Sequence, residues 1–139
     1  GLDFSKEALE VAIQNAKVNR VNVYFFISDW MLNVSNKYDM IVSNPPYVST
    51  DEFHFLPKDV KDYDPKIALL GGTDGLDCFR VIASSISPYL NENGVGIFEI
   101  GFGQLSRVVN IFASNGLSTF DIRYDLNGVE RVVCVKKDA

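Results

Sequence analysis

The sequence predicts an α/β fold in which helices cover a doubly wound sheet that ends in an antiparallel edge. Three observations carry that expectation. Compact β-branched and aromatic runs alternate with stretches whose apolar residues recur at helical spacing. The last two apolar runs are joined through Asn127-Gly128, a strong hairpin signal. No repeat, low-complexity tract or linker interrupts the 139 residues, so they read as one domain.

Gly1-Leu2-Asp3-Phe4 reads as the end of a buried strand running into a helix capped by Ser5, with Glu7 well placed in its first turn. From Lys6 to Val18, the residues Ala8, Leu9, Ala12, Ile13 and Ala16 share one face, which predicts an amphipathic helix lying on a sheet. Val21 to Ile27 reads as a buried strand that ends at Ser28-Asp29-Trp30. Tyr38 to Ser43 reads as a second buried strand, stopped by Asn44-Pro45-Pro46-Tyr47 because proline cannot continue a central strand.

Val48 to Gly75 carries Pro57, Pro65, Gly71, Gly72 and Gly75 among scattered charges. It predicts a long loop with at most short helical turns, and loops of that length in a compact domain are usually functional. Asp77 to Leu90 returns to helical period, Asn93-Gly94 turns the chain, and Val95 to Ile100 reads as a strand. Gln104 to Asn115 predicts a helix that Gly116 closes at its C′ position. Leu117 to Tyr124 and Glu130 to Val135 supply the closing hairpin.

Composition excludes several classes of function. With 47% hydrophobic and 22% charged residues the chain is neither disordered nor fibrous and can bury one core. Thirteen Lys+Arg against eighteen Asp+Glu leave a net charge of −5, which argues against affinity built on phosphate neutralisation. Cys78 and Cys134 are far apart and have no ligand-type neighbour, so they fit neither a disulfide framework nor a zinc site. They read as reduced core thiols, in keeping with a cytoplasmic protein, and no metal is expected. No apolar run approaches the ~20 residues of a membrane helix, so no membrane partner is expected.

In a doubly wound sheet, ligands bind beyond the carboxyl ends of the parallel strands, which here are Asp3, Asp29-Trp30, Asn44 to Tyr47 and Glu99 to Gly103. An acidic side chain at Asp3 can accept hydrogen bonds from both hydroxyls of a ribose; it can also serve as a second helix cap beside Ser5. Asp29 and Trp30 can hold an adenine by a carboxylate hydrogen bond and aromatic packing, although an isolated tryptophan is more often core. Asn44-Pro45-Pro46-Tyr47 is more specific. The two prolines fix the backbone so that the Asn44 amide and the Pro45 carbonyl can both accept from one planar NH2 group, while Tyr47 closes the site with an aromatic face. A conjugated NH2 is a poor nucleophile because its lone pair is delocalised. Fixing both hydrogens on acceptors draws the nitrogen toward tetrahedral geometry and aims the lone pair at an electrophile.

Asp3-x-Ser5-x-x-Ala8-Leu9, Ser28-Asp29-Trp30 and Val42-Ser43-Asn44-Pro45-Pro46-Tyr47 resemble the later motifs of class I S-adenosylmethionine-dependent amino-methyltransferases. More narrowly, Leu56-Pro57 through Asp64-Pro65, Ala68-Leu69, Gly71-Gly72-x-Asp74-Gly75-Leu76, Glu99-Ile100-Gly101 and Arg131-Val132-Val133 resemble the HemK/PrmC family of protein-glutamine N5-methyltransferases. The resemblance implies methyl transfer from S-adenosylmethionine to the glutamine amide of a Gly-Gly-Gln motif in a peptide chain release factor. It implies Asp3 on the cofactor ribose, Asp29 and Trp30 near its adenine, and Asn44 close to the cofactor. It also implies Asn44, Pro45, Pro46 and Tyr47 around the target amide, with Asn44, Pro45 and Tyr47 carrying the chemistry. No direct nucleic-acid binding is expected.

The family's glycine-rich cofactor loop, an acidic residue and spaced glycines after the first strand, belongs upstream of Asp3 and is not among these residues; neither is the family's amino-terminal helical recognition domain. The expected fold is therefore a Rossmann-like class I methyltransferase sheet with a C-terminal antiparallel hairpin, missing its first strand, and residues 1–139 form an N-terminally incomplete catalytic domain. Glu99-Ile100-Gly101-Phe102-Gly103, followed downstream by Asp125, mimics the absent loop in the manner of a permuted enzyme, but the closing hairpin leaves too few strands after it. Two other readings stand beside the main one: an amino-methyltransferase for another protein, such as a ribosomal one, or for a base, and a truncated remnant without catalysis. His54, the only histidine, reads as a solvated loop residue.

Overall fold

A computed structural model describes residues 1–138. They fall into two compact units, the first spanning Gly1–Asn36 and the second beginning at Lys37, and each is taken by itself.

The first unit comprises β1 (Leu2–Asp3), α1 (Lys6–Val18) and β2 (Phe26–Ile27). Ser5 is extended and its hydroxyl accepts from the Ala8 N–H at 3.1 Å, satisfying a donor that the first helical turn leaves open. β1 and β2 pair in parallel, Leu2 opposite Phe26 and Asp3 opposite Ile27. The strand expected over Val21 to Ile27 is paired only at its end, because only Gly1 to Asp3 run alongside it. The helix buries less than its apolar stripe suggests: Leu9 is its one buried residue, while Ile13 is exposed, since the ladder beneath it is two strands wide.

The second unit holds a four-stranded sheet in the order β3-β4-β6-β5, formed by β3 (Tyr38–Ser43), β4 (Leu90–Glu99), β5 (Leu117–Tyr124) and β6 (Glu130–Lys137). β3 and β4 are parallel, and β6 lies antiparallel between β4 and β5. This is the expected parallel sheet with an antiparallel hairpin edge. β3 departs from expectation in burial. It reads as a buried strand, yet Met40 is 55% and Val42 66% exposed, because β3 is an edge strand paired only with β4 among the described residues. β4 begins earlier than its sequence suggests: Tyr38 faces Leu90 and Met40 faces Val95, so the Asn93-Gly94 turn is absorbed as an irregularity within the ladder.

Between β3 and β4 the chain forms α2 (Thr50–Phe53), α3 (Lys58–Tyr63) and α4 (Lys66–Leu69), the short turns expected of the long loop, followed by α5 (Asp77–Ser85). α5 stops earlier than its apolar period implies, and a 3-10 turn over Ser87–Tyr89 carries Pro88. α6 (Leu105–Ala113) is closed by Gly116 in the left-handed region at φ 73°. The core lies between these two helices and the sheet: Phe79, Ile82, Ile86, Val108, Val133 and Val135 are buried, and the rings of Phe98 and Phe112 stack at 5.0 Å. Among the described residues no helix is long and apolar enough to cross a membrane. Both cysteines are free thiols, Cys134 buried and Cys78 half-buried.

Candidate functional site

In the first unit the two acidic motifs stand at neighbouring strand ends. The Ser28 N–H donates to the Asp3 carbonyl at 3.0 Å, so the chain leaves β1 and β2 side by side. Asp3 uses Oδ1 to accept from the Ser5 N–H at 2.8 Å, a local turn just before the helix, and among the described residues nothing donates to its Oδ2 or to the Asp29 carboxylate. Trp30 is half-buried and non-glycine at φ 48°, a conformation that costs about 1 kcal/mol or more and needs surrounding support. Ser28 supplies it. That side chain is 2% exposed, donates to the Trp30 carbonyl at 2.7 Å and accepts from the Asn33 N–H at 3.1 Å.

In the second unit Asn44-Pro45-Pro46-Tyr47 follows directly from the end of β3. Asn44 is exposed, Pro45 buried, and Pro46 and Tyr47 are half-buried. Among the described residues no group donates to the Asn44 side-chain oxygen or to the Pro45 carbonyl, so both acceptors expected from the sequence are left open. Beyond them the chain is pinned. Val48 bridges Leu70 in parallel, through Val48 N–H to Leu69 at 2.9 Å and Gly71 N–H to the Val48 carbonyl at 2.9 Å. Thr50 N–H reaches the Gly72 carbonyl at 3.1 Å. Ser49 and Glu52 then form a reciprocal capping box at the start of α2.

The ring of Tyr47 is oriented from β4: its hydroxyl donates to Oε1 of Glu99 at 2.9 Å. Burial, foremost, and then this hydrogen bond and the Glu99 charge push the phenol above its ordinary ionisation range, while Arg131 opposes the rise. Gln104, which the sequence reading places only as the start of a helix, completes the site. It is 3% exposed; its Oε1 accepts from Gly101 N–H at 2.9 Å and its Nε2 donates to the Tyr47 carbonyl at 2.9 Å and the Gly75 carbonyl at 3.4 Å. No sequence pattern singles out this role, since a glutamine at a helix start is compatible with solvent exposure.

The mimic of the absent cofactor loop has another job. The Gly101 N–H is spent on Gln104, and Asp125 Oδ1 accepts from the N–H groups of Asn127 and Val129 to build the hairpin turn, while its Oδ2 lies 3.4 Å from Arg131 Nε. These bonds pull the Asp125 carboxyl below its usual range, led by the backbone N–H of Val129. His54 is exposed in the loop, as expected. A groove lined by Arg80, Asn110, Ile111, Ser114 and Asn115 runs between α5 and α6 and includes none of the expected site residues. No group of metal-ligating side chains gathers among the described residues.

Residues 1–56 match the methyltransferase small domain. Over 139 residues the chain is 42% identical to a release factor glutamine methyltransferase of Agrobacterium fabrum, a match covering 99% of this chain and 48% of that relative. A release factor glutamine methyltransferase of Fusobacterium nucleatum is 39% identical over 140 residues, covering 99% of this chain and 40% of the relative. Over nearly its whole length the chain is similar to release factor glutamine methyltransferases. It spans about half the length of the curated relatives it matches. A solved methyltransferase structure from Pyrococcus furiosus superposes with a TM-score of 0.73 at 19% identity, covering 99% of this chain and 61% of that one. This likeness shows the class I methyltransferase fold.

Proposed function

We propose that this chain is of the HemK/PrmC type and takes part in transferring a methyl group from S-adenosylmethionine to the side-chain amide of the glutamine in the Gly-Gly-Gln motif of a peptide chain release factor, in the cytoplasm. The observation that carries the reading is the pair of open acceptors, the Asn44 side-chain oxygen and the Pro45 carbonyl, at the carboxyl end of a parallel strand. Two acceptors on a proline-fixed backbone suit the two hydrogens of one primary amide. Holding both localises the nitrogen lone pair and orients it for attack, which lowers the barrier through positioning. Tyr47, held by Glu99, closes the site with its ring, and Pro46 keeps the turn stiff. No covalent bond to the protein is needed.

The first unit fits the nucleoside end of the cofactor. Among the described residues Asp3 Oδ2 and the Asp29 carboxylate are acceptors without internal donors at the ends of paired strands, which suits ribose hydroxyls at Asp3 and an adenine amino group at Asp29 beside Trp30. Asn44 also serves the cofactor side of the reaction in this reading. When bound, S-adenosylmethionine supplies the methyl group as an electrophile.

The reading is tested by incubating the protein with S-adenosylmethionine and an intact release factor and locating any modification by fragmentation mass spectrometry. One added methyl group on the glutamine of Gly-Gly-Gln is expected. A methyl group on a different side chain, or equal modification of a release factor carrying glutamate there, contradicts the proposal.

A further inference from the structure

We infer that Gln104 is a positioning residue for the amide-binding segment: its side-chain amide holds the main chain of Tyr47, and with it the turn that presents the Asn44 and Pro45 oxygens, against the loops of Gly75 and Gly101. The inference rests on the reading of Asn44 to Tyr47 as the acceptor site.

Gln104 and Ser28 are the buried polar side chains of the described chain. A buried amide is costly unless it is paired, and Gln104 is paired three times, once through Oε1 and twice through Nε2. Its residue starts α6 yet makes no side-chain capping bond to the helix; the amide is turned to the loops instead. The loops are built around it. A Cβ at Gly75, which also sits at φ 75°, would strike the Tyr47 carbonyl and come within 2.7 Å of Gln104 Nε2. A Cβ at Gly101 would come within 2.8 Å of Gln104 Oε1 and 3.0 Å of the Tyr47 ring. Only a side chain with an acceptor and two donors on one planar group satisfies all three partners.

The test replaces Gln104 in this chain and follows the Tyr47 ring by NMR of labelled tyrosine. The charged groups that face its hydroxyl are Glu99 on β4 and Arg131 on β6. In Gln104→Met, of similar volume but without donors or acceptor, the upward displacement of the Tyr47 titration is expected to be lost while the circular dichroism spectrum stays unchanged. Gln104→Glu keeps the acceptor for Gly101 and regains a donor only when its carboxyl is protonated. Its Tyr47 signal is expected to lie nearer to wild type in acid and to move away reversibly toward neutral pH, a transition beyond any that the wild type shows. A wild-type Tyr47 titration in Gln104→Met, or no such transition in Gln104→Glu, overturns the inference. Should both variants fail to fold, hydrogen exchange of the unmodified chain decides. The Gly101 N–H is expected to exchange about two- to tenfold more slowly than that of Gly103, the range that one net hydrogen bond gives, and equal rates overturn the inference. None of these readouts uses cofactor or acceptor, so the positioning role and the methyl-acceptor reading fail independently.

Discussion

The hydroxyl of Tyr47 donates to Oε1 of Glu99 across 2.9 Å, joining the end of the Asn44–Tyr47 segment to the end of β4. Because burial comes first and the Glu99 bond second in raising the phenol, Glu99→Gln is expected to lower the Tyr47 ionisation toward, but not down to, the ordinary value of 10.0. The folded-state value is raised, so this group's contribution to stability is fully present below about pH 10 and is lost as pH rises through the folded value. Alkaline unfolding of the wild type should therefore show a steeper loss than Glu99→Gln, as read by denaturant midpoints across that range.

Gly75 meets two demands at once, a φ of 75° and contact with the Tyr47 carbonyl. Gly75→Ala is expected to cost roughly 2–4 kcal/mol, the sum of a left-handed side-chain penalty and the displacement of a packed neighbour. Urea unfolding measures it; a loss under about 0.5 kcal/mol, the range of an ordinary surface change, would mean that the loop yields freely.

Asp74 and Arg80 form a two-pronged pair, with Arg80 Nη2 at 2.6 Å and Nη1 at 3.0 Å from the carboxylate, which also accepts from the Leu76 N–H. The Arg80 hydrogen bond holds the Asp74 carboxyl at about 2, against an ordinary 3.8. A depressed folded value means that its stabilisation is present above about pH 3.8 and is lost as pH falls through about 2. Arg80→Leu should return Asp74 toward its ordinary titration, measured by carboxyl NMR, with little change at neutral pH because the pair is exposed.

Much of this arrangement is legible in the residues themselves. Ser5 as a cap, the span of Tyr38 to Ser43, the Asn127-Gly128 turn and Gly116 at a helix end all follow from local chemistry that needs no knowledge of neighbours. Burial does not: Val42 and Met40 have the composition of a covered strand, but exposure is decided by what lies beside them, and β3 is an edge. The motif at Asn44 to Tyr47 is visible because proline announces a stop and asparagine an acceptor. Gln104 is hidden because its role depends on contacts 29 and 57 residues away in sequence, with nothing local to mark it.

In the proposed site the oxygens of Asn44 and Pro45 grip one primary amide. Asn44 makes no internal side-chain hydrogen bond among the described residues, so Asn44→Ala should change stability by no more than about 0.5 kcal/mol. The direct measurement is an NMR titration of a Gly-Gly-Gln peptide labelled with nitrogen-15 at the glutamine side-chain amide. Both amide N–H signals are expected to move downfield and saturate with the wild-type protein, and neither to move with folded Asn44→Ala. Unmoved signals with wild type, or the same saturable shift with Asn44→Ala, would contradict it.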